Sequence, residues 1–188
     1  MTIGKNFVEG RNCIIDPYVV IGNNVTLGHN VVLRSGTTIG NDVNIADFCC
    51  TTGLCYIGNH VNIRTQSVIS KGVIIEDCAF IGAGIMSSHT NEIYHQRSTA
   101  PKVQLITRIG YGAVIGSRVN ISAGVQIGNN VIVGYSSFVN KNLLPEGIYY
   151  GCPATMKSRV KDLVPVDPNW APHFFSAEQL KQYLPYAL

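Results

Sequence analysis

Three features of this sequence predict an all-β fold of the parallel β-helix class. An aliphatic residue recurs every six positions at Ile15, Ile21, Leu27, Leu33, Ile39, Ile45, Ile57, Ile63, Ile69, Ile75 and Ile81, and Thr51 is the one non-aliphatic member of the series. Glycine often follows the beat by one residue, as at Gly22, Gly28, Gly40, Gly58 and Gly82. A small or β-branched residue often comes four after it, as at Val19, Val25, Val31, Val43 and Val61. A period of six fits neither an amphipathic helix nor a half-buried strand continued indefinitely. It marks a solenoid.

Each hexad reads as a short strand and a turn, with the beat residue inward and Gly or Asn in the turn, where backbone angles resisted by β-branched residues are needed. Three hexads close one triangular coil, and coils stack at about 4.8 Å. Every coil then buries its aliphatic stripe on its neighbours. The phase runs from residue 3 to 86 as 14 hexads, is expected to fail at Ser87, and resumes at Ile109, Ile115, Ile121, Ile127, Val133 and Val139 as six more. That makes about seven coils, interrupted by 22 residues at 87–108. After Val160 the repeat ends. Asp162 to His173, with Pro165, Pro168 and Pro172, reads as an extended strap, and Ser176-Ala177-Glu178-Gln179 resembles a capping box opening a short helix. Trp170, Phe174 and Phe175 read as packing anchors. The expected division is a β-helix domain over 1–160 and a strap with a short helix over 161–188.

Composition narrows the functional classes. A chain of 188 residues is expected to form one domain. A charged fraction of 13% is low for a monomeric prism with three flat faces, which predicts that partner copies cover a face. A net charge of +3 without a Lys/Arg run argues against nucleic acid as a partner. Of six cysteines, Cys13, Cys49 and Cys55 fall four after the beat, where a thiol packs as a small hydrophobe. Cys50, Cys78 and Cys152 show no pairing pattern, and no C-x-x-C spacing suggests zinc. With no signal-peptide pattern and no apolar run of membrane-spanning length, the expectation is a cytoplasmic protein with no membrane span and with free thiols.

Long irregular insertions in a compact domain tend to be functional. The interruption from Ser87 to Arg108 holds two of the five histidines (His89 and His95), Arg97, Arg108, Lys102, and the only acid between Asp77 and Glu146, which is Glu92. Polar chemistry is therefore expected there.

A coil ending in small residues, then His89, a basic loop, renewed I-G-x-x-x-x hexads and a closing Gly151-Cys152-Pro153-Ala154 together resemble the hexapeptide-repeat acyltransferases. Within that family the likeness is to the sugar O-acetyltransferase branch of maltose, galactoside and nodulation-factor acetyltransferases, over roughly residues 55 to 160. The resemblance implies a left-handed helix and a homotrimer with active sites between subunits. It also implies direct transfer of acetyl from acetyl-CoA to a hydroxyl of a sugar or saccharide precursor, with no metal. His89 matches the general base at the head of the loop. A sugar hydroxyl is a poor nucleophile at neutral pH, and an imidazole can take its proton as the bond to the thioester carbon forms and pass it to the departing thiolate.

Carried over residue by residue, the coenzyme A lining falls on Ser117, Tyr135, Asn140 and Lys141, with Lys157, Arg159 and Lys161 placed to reach the phosphates or simply to form a solvated face. Two residues depart from the branch. Val114 stands where a Trp is usual, and Tyr135 replaces a small residue. Glu92, three after His89, is placed to orient the imidazole, and His95 competes for the role of base. Arg97 and Lys102 are candidates for the acceptor or a CoA phosphate. Thr51 lies two coils below Ser87, about 10 Å away, so Thr51 and Thr52 are candidates for the floor of the acceptor pocket, against the alternative of a tolerated substitution. Three other readings stay open: N-acetylation of an amino sugar, possibly nucleotide-linked; a γ-carbonic-anhydrase-like zinc protein using His29, His60, His89 or His95; and a non-catalytic scaffold.

Overall fold

The computed structural model describes residues 1–91 and 105–162. They form a parallel β-solenoid of the left-handed β-helix type, with strands mostly two or three residues long and a single 3-10 turn at Val160–Asp162. The first face stacks seven strands from Thr2–Ile3 to Gln126–Ile127. The third face stacks seven from Ile14–Ile15 to Phe138–Val139. The second face has nine: eight parallel strands from Val8–Glu9 to Gly147–Tyr150, then Thr155–Arg159, which runs antiparallel. Seven coils are thus complete and an eighth is begun.

The register follows the six-residue beat. Ile21 pairs with Ile39, Leu27 with Ile45, and Ile63 with Ile81, each one coil apart. Beat residues and the valines four after them fill a single core in which Ile57, Ile75, Ile81, Ile115 and Ile127 are wholly buried. Burying each such side chain contributes about 1.5–3 kcal/mol relative to leaving it exposed. Polar turn residues do a second job. At the corner between first and second faces Asn6, Asn24, Asp42, His60, Cys78 and Asn130 all hold left-handed backbone angles, with φ from 54° to 61°. Beside them the side-chain oxygens of Asn23, Asn41, Asn59 and Asp77 each accept the backbone N–H of the residue one coil below, at 2.8 Å. The amide N–H of Asn59, followed by its side chain, holds the Asp77 carboxyl below its ordinary pKa.

The interruption is shorter than the beat suggested. Ser87 stays in register: Met86 pairs with Val68 on one side, Ser87 pairs with Ile121 on the other, and Ser87 is buried. Thr107–Ile109 likewise pairs with Val73–Ile75. Partners across the gap are 34 residues apart instead of 18, an excess of 16, so the insertion lies between Ser88 and Leu105. Ser87 looked like a break only because a serine occupies an interior position. The expected strap beyond Asp162, the short helix, Trp170, Phe174 and Phe175 lie outside the described residues, as do Glu92, His95, Arg97 and Lys102. No helix among the described residues is long and apolar enough to cross a membrane.

Candidate active site

His89 sits at the corner between third and first faces, on an exposed bend just past the last residue in register. The backbone on its N-terminal side is fixed from within the core. The Ser70 hydroxyl donates to the Ser87 carbonyl at 2.5 Å, and the Ser70 N–H donates to Ser87 Oγ at 2.7 Å. Ser87 Oγ in turn donates to the Val68 carbonyl at 3.0 Å. The Ser88 N–H then bonds the Ile121 carbonyl at 2.9 Å. On the C-terminal side, Asn91 Nδ2 donates to the Ala123 carbonyl at 2.8 Å. His89 is therefore held between two anchors, with an exposed side chain accessible to a substrate.

The chain comes back to the same corner. Leu105 lies between two glycines: a Cβ on Gly72 would stand 2.5 Å from the Leu105 carbonyl oxygen, and one on Gly124 would stand 3.5 Å from Leu105 Cβ. The Thr107 N–H bonds the Gly72 carbonyl, and Thr107 Oγ1 accepts the Gly124 N–H, both at 2.9 Å. Departure and return are thus built into one edge of the prism. Ser70, Asn91 and Gly72 were not singled out from the sequence; Ser87, a polar residue on the beat, was the available signal.

The acceptor candidates separate. Thr51 is 3% exposed and points into the solenoid, where its hydroxyl accepts the Arg34 N–H at 2.9 Å and shares a 2.7 Å hydrogen bond with Thr37 Oγ1. It supports the wall of the prism, and its side chain does not reach the surface. Thr52 does: it is exposed, and its Oγ1 accepts the Lys71 N–H at 2.9 Å.

The coenzyme candidates occupy two edges. Asn140 and Lys141 are exposed on the His89 edge, two coils on from Ser88 through the paired strands Met86–Ser87, Asn120–Ile121 and Phe138–Val139. Ser117 and Tyr135 stack on the next edge, between second and third faces, where the Ser136 N–H bonds the Ser117 carbonyl at 2.8 Å. Tyr135 is 80% exposed. Lys157 lies on the antiparallel strand with its Nζ 5.2 Å from the centre of the Tyr150 ring, and Arg159 pairs across that hairpin with Gly147. Tyr150 in turn packs close to Gly134, beside Tyr135. The third face, with Met86, Asn120 and Phe138 outward, spans the distance between the two edges. Among the described residues no three His, Cys, Asp or Glu side chains are grouped to hold a metal ion, and His29 Nδ1 is occupied by the Arg11 N–H at 2.8 Å. All six cysteines are free thiols.

The sequence matches the bacterial transferase hexapeptide (six repeats) model over residues 10–41 and 18–53, and the hexapeptide repeat of succinyl-transferase over 106–139. The chain thus carries hexapeptide repeats of the bacterial transferase type both before and after the insertion. Among solved structures, this hexapeptide-repeat chain is similar to a mutant of AntD, an N-acyltransferase from Bacillus cereus in complex with dTDP and coenzyme A. The two share 24% identity over 82% of this chain and 84% of that one, with a TM-score of 0.60. It is similar to the polySia-specific acetyltransferase NeuO at 17% identity, covering 92% and 84% with a TM-score of 0.55. It also resembles the UDP-N-acetylglucosamine acyltransferase from Campylobacter jejuni at 14% identity, covering 85% and 70% with a TM-score of 0.63. Several other matched chains are longer, and the protein spans 55% of their length. No curated protein matches the sequence.

Proposed function

We propose that this protein transfers an acyl group, acetyl in the simplest case, from its coenzyme A thioester to a hydroxyl of a sugar, with His89 as general base. The observation that carries the reading is the construction of the insertion: both of its ends are bonded to one edge, and His89 stands at the departure between the Ser87–Ser88 backbone bonds and the Asn91 side-chain bond. The solved structures it resembles support it, since their names describe acyl transfer to sugars or coenzyme A in the complex. In the step proposed, the imidazole takes the hydroxyl proton while the oxygen bonds to the thioester carbon. The carbon–sulfur bond then breaks, and the proton passes to the thiolate. Glu92 as its orienting carboxylate, and Arg97 and Lys102 as acceptor or phosphate contacts, belong to the same proposal. So do Ser117, Tyr135, Asn140, Lys141, Lys157 and Arg159 along the coenzyme.

Assembly as a homotrimer is part of this reading. Its support is the low charged fraction of 13%, which leaves little to solvate three flat faces.

The test is acetyl-CoA turnover, followed by thiol release, with a panel of hydroxyl-bearing and amine-bearing sugars. His89→Ala should lower kcat by about 10²–10⁴-fold, the usual contribution of a positioned base, while the circular dichroism spectrum stays that of the wild type. Turnover confined to amino sugars would favour the N-acyl reading, for which the likeness to an N-acyltransferase is the support. Undiminished turnover in His89→Ala would refute the role given to this residue.

A further inference from the structure

One corner of the prism is built unlike its neighbours. On the His89 edge the turn residues Tyr18, Gly36, Gly72 and Gly124 hold φ between 64° and 84°. In the coil between Gly36 and Gly72 the special residue moves back by one position: Gly53 takes φ 138°, a conformation open essentially to glycine alone. The core beneath this corner is polar. Thr37 Oγ1 donates to the Arg34 carbonyl at 2.7 Å, and the Thr51 hydroxyl takes the Arg34 N–H. Two interior threonines therefore fix the backbone of Arg34 from the inside.

Outside this corner lies an open groove of about 570 Å³ whose polar lining includes Asp16, Arg34, Ser35 and Thr52, over a floor of Val32 and Cys50. Arg34 Nη1 is 3.4 Å from Asp16 Oδ1, and both side chains are partly exposed, so each keeps hydrogen-bonding capacity free of the other. Arg34, Thr52, Ser70 and Ser88 occupy the same position in successive coils. Thr52 is thus about 10 Å and Arg34 about 14 Å from Ser88, measured along the stack. The groove runs in line with His89 and ends too far from it for one hexose ring to touch both.

We propose that this groove is a saccharide subsite, and that the acceptor is an oligosaccharide extending from His89 towards the N-terminal coils. A guanidinium, a carboxylate and two hydroxyls, presenting donors and acceptors side by side over a small apolar floor, match the alternating hydroxyls and C–H faces of a sugar. The proposal rests on the acyl-transfer reading for its direction, because His89 marks where the reacting sugar sits. Thr51 is a positioning residue here, acting through the Arg34 backbone.

The test uses two ligand series, maltose oligomers and β-1,4-linked glucosamine oligomers, each from one to four units. Titration calorimetry gives binding, and thiol release from acetyl-CoA gives kcat and KM. In one series at least, the tetramer should bind at least tenfold more tightly than the monomer. Arg34→Ala should remove that gain while leaving monomer binding and monomer kcat unchanged, and Thr52→Val should reduce it. Equal affinity for monomer and tetramer in both series, or a gain that survives Arg34→Ala, would overturn the subsite. Light scattering provides the second readout. A changed oligomeric state in Arg34→Ala would show the groove to be covered by another copy of the chain, which also overturns it. Arg34-dependent tetramer binding without any thiol release would leave the subsite standing and refute the acyl-transfer reading instead.

Discussion

Thr51 shows at the scale of one residue how a polar side chain survives inside a solenoid. It replaces an aliphatic residue in a column whose neighbours are Leu33 and Ile69, and the mismatch leaves a gap of about 10 Å³ in the core. At about 24 cal/mol per Å³ that gap costs only about 0.2 kcal/mol, so filling it gains little. Thr51→Val should instead destabilise by about 1–3 kcal/mol, the cost of leaving the part-buried Arg34 N–H without its acceptor. Urea midpoints measure this, and a variant as stable as the wild type would contradict the account. The interior thiols give a second prediction. Burial pushes Cys49 and Cys55 from 9.0 up to about 11. The unfolded chain releases these protons near pH 9 while the folded chain holds them, so their contribution is whole below pH 9 and declines as pH rises through about 11. Urea midpoints from pH 8 to 11 should therefore fall, and fall less in a Cys49→Ala, Cys55→Ala double variant.

At the scale of the element, the hexad was legible because strand, turn and core position recur together. Every beat from Ile21 to Ile45 proved buried, and each pairs with its counterpart one coil away. The ends of the insertion were misplaced by the same logic. A serine at position 87 and an arginine at 108 look like loop, yet Ser87 is satisfied inside by Ser70, and Arg108 faces outward on a strand with a bidentate pair to Glu76 at 2.6 and 2.7 Å. Hydropathy cannot anticipate a partner that arrives from another coil. The corner where the insertion returns offers a direct test. Gly72 has φ 84°, and a methyl group there would meet the Leu105 carbonyl oxygen. Gly72→Ala should cost about 1–3 kcal/mol from the left-handed backbone alone, read as a lower urea midpoint; an unchanged midpoint would show that the corner yields freely.

For the whole molecule, the candidate site is only partly written in the local sequence. His89 could be found from the order of hexads, insertion and closing turn. Arg34 could not, because its relation to His89 exists only once three coils are stacked on one edge. The coenzyme candidates show the same dependence. Ser117 and Lys141 are 24 positions apart in the chain yet stand on different edges of the prism, so proximity in sequence says nothing about which ligand they would share.

The antiparallel strand Thr155–Arg159 has a consequence for the protein's life in solution. A solenoid made of identical rungs offers its last rung as a template for the next molecule, and unpaired backbone groups there invite linear polymers. Here Thr155–Arg159 occupies the second face in the wrong direction for continuation, Leu143 closes the first against Ile127, and Gly151 and Ala154 take the free groups of Phe138 on the third. That segment thus closes this end of the described solenoid to continuation by a further rung.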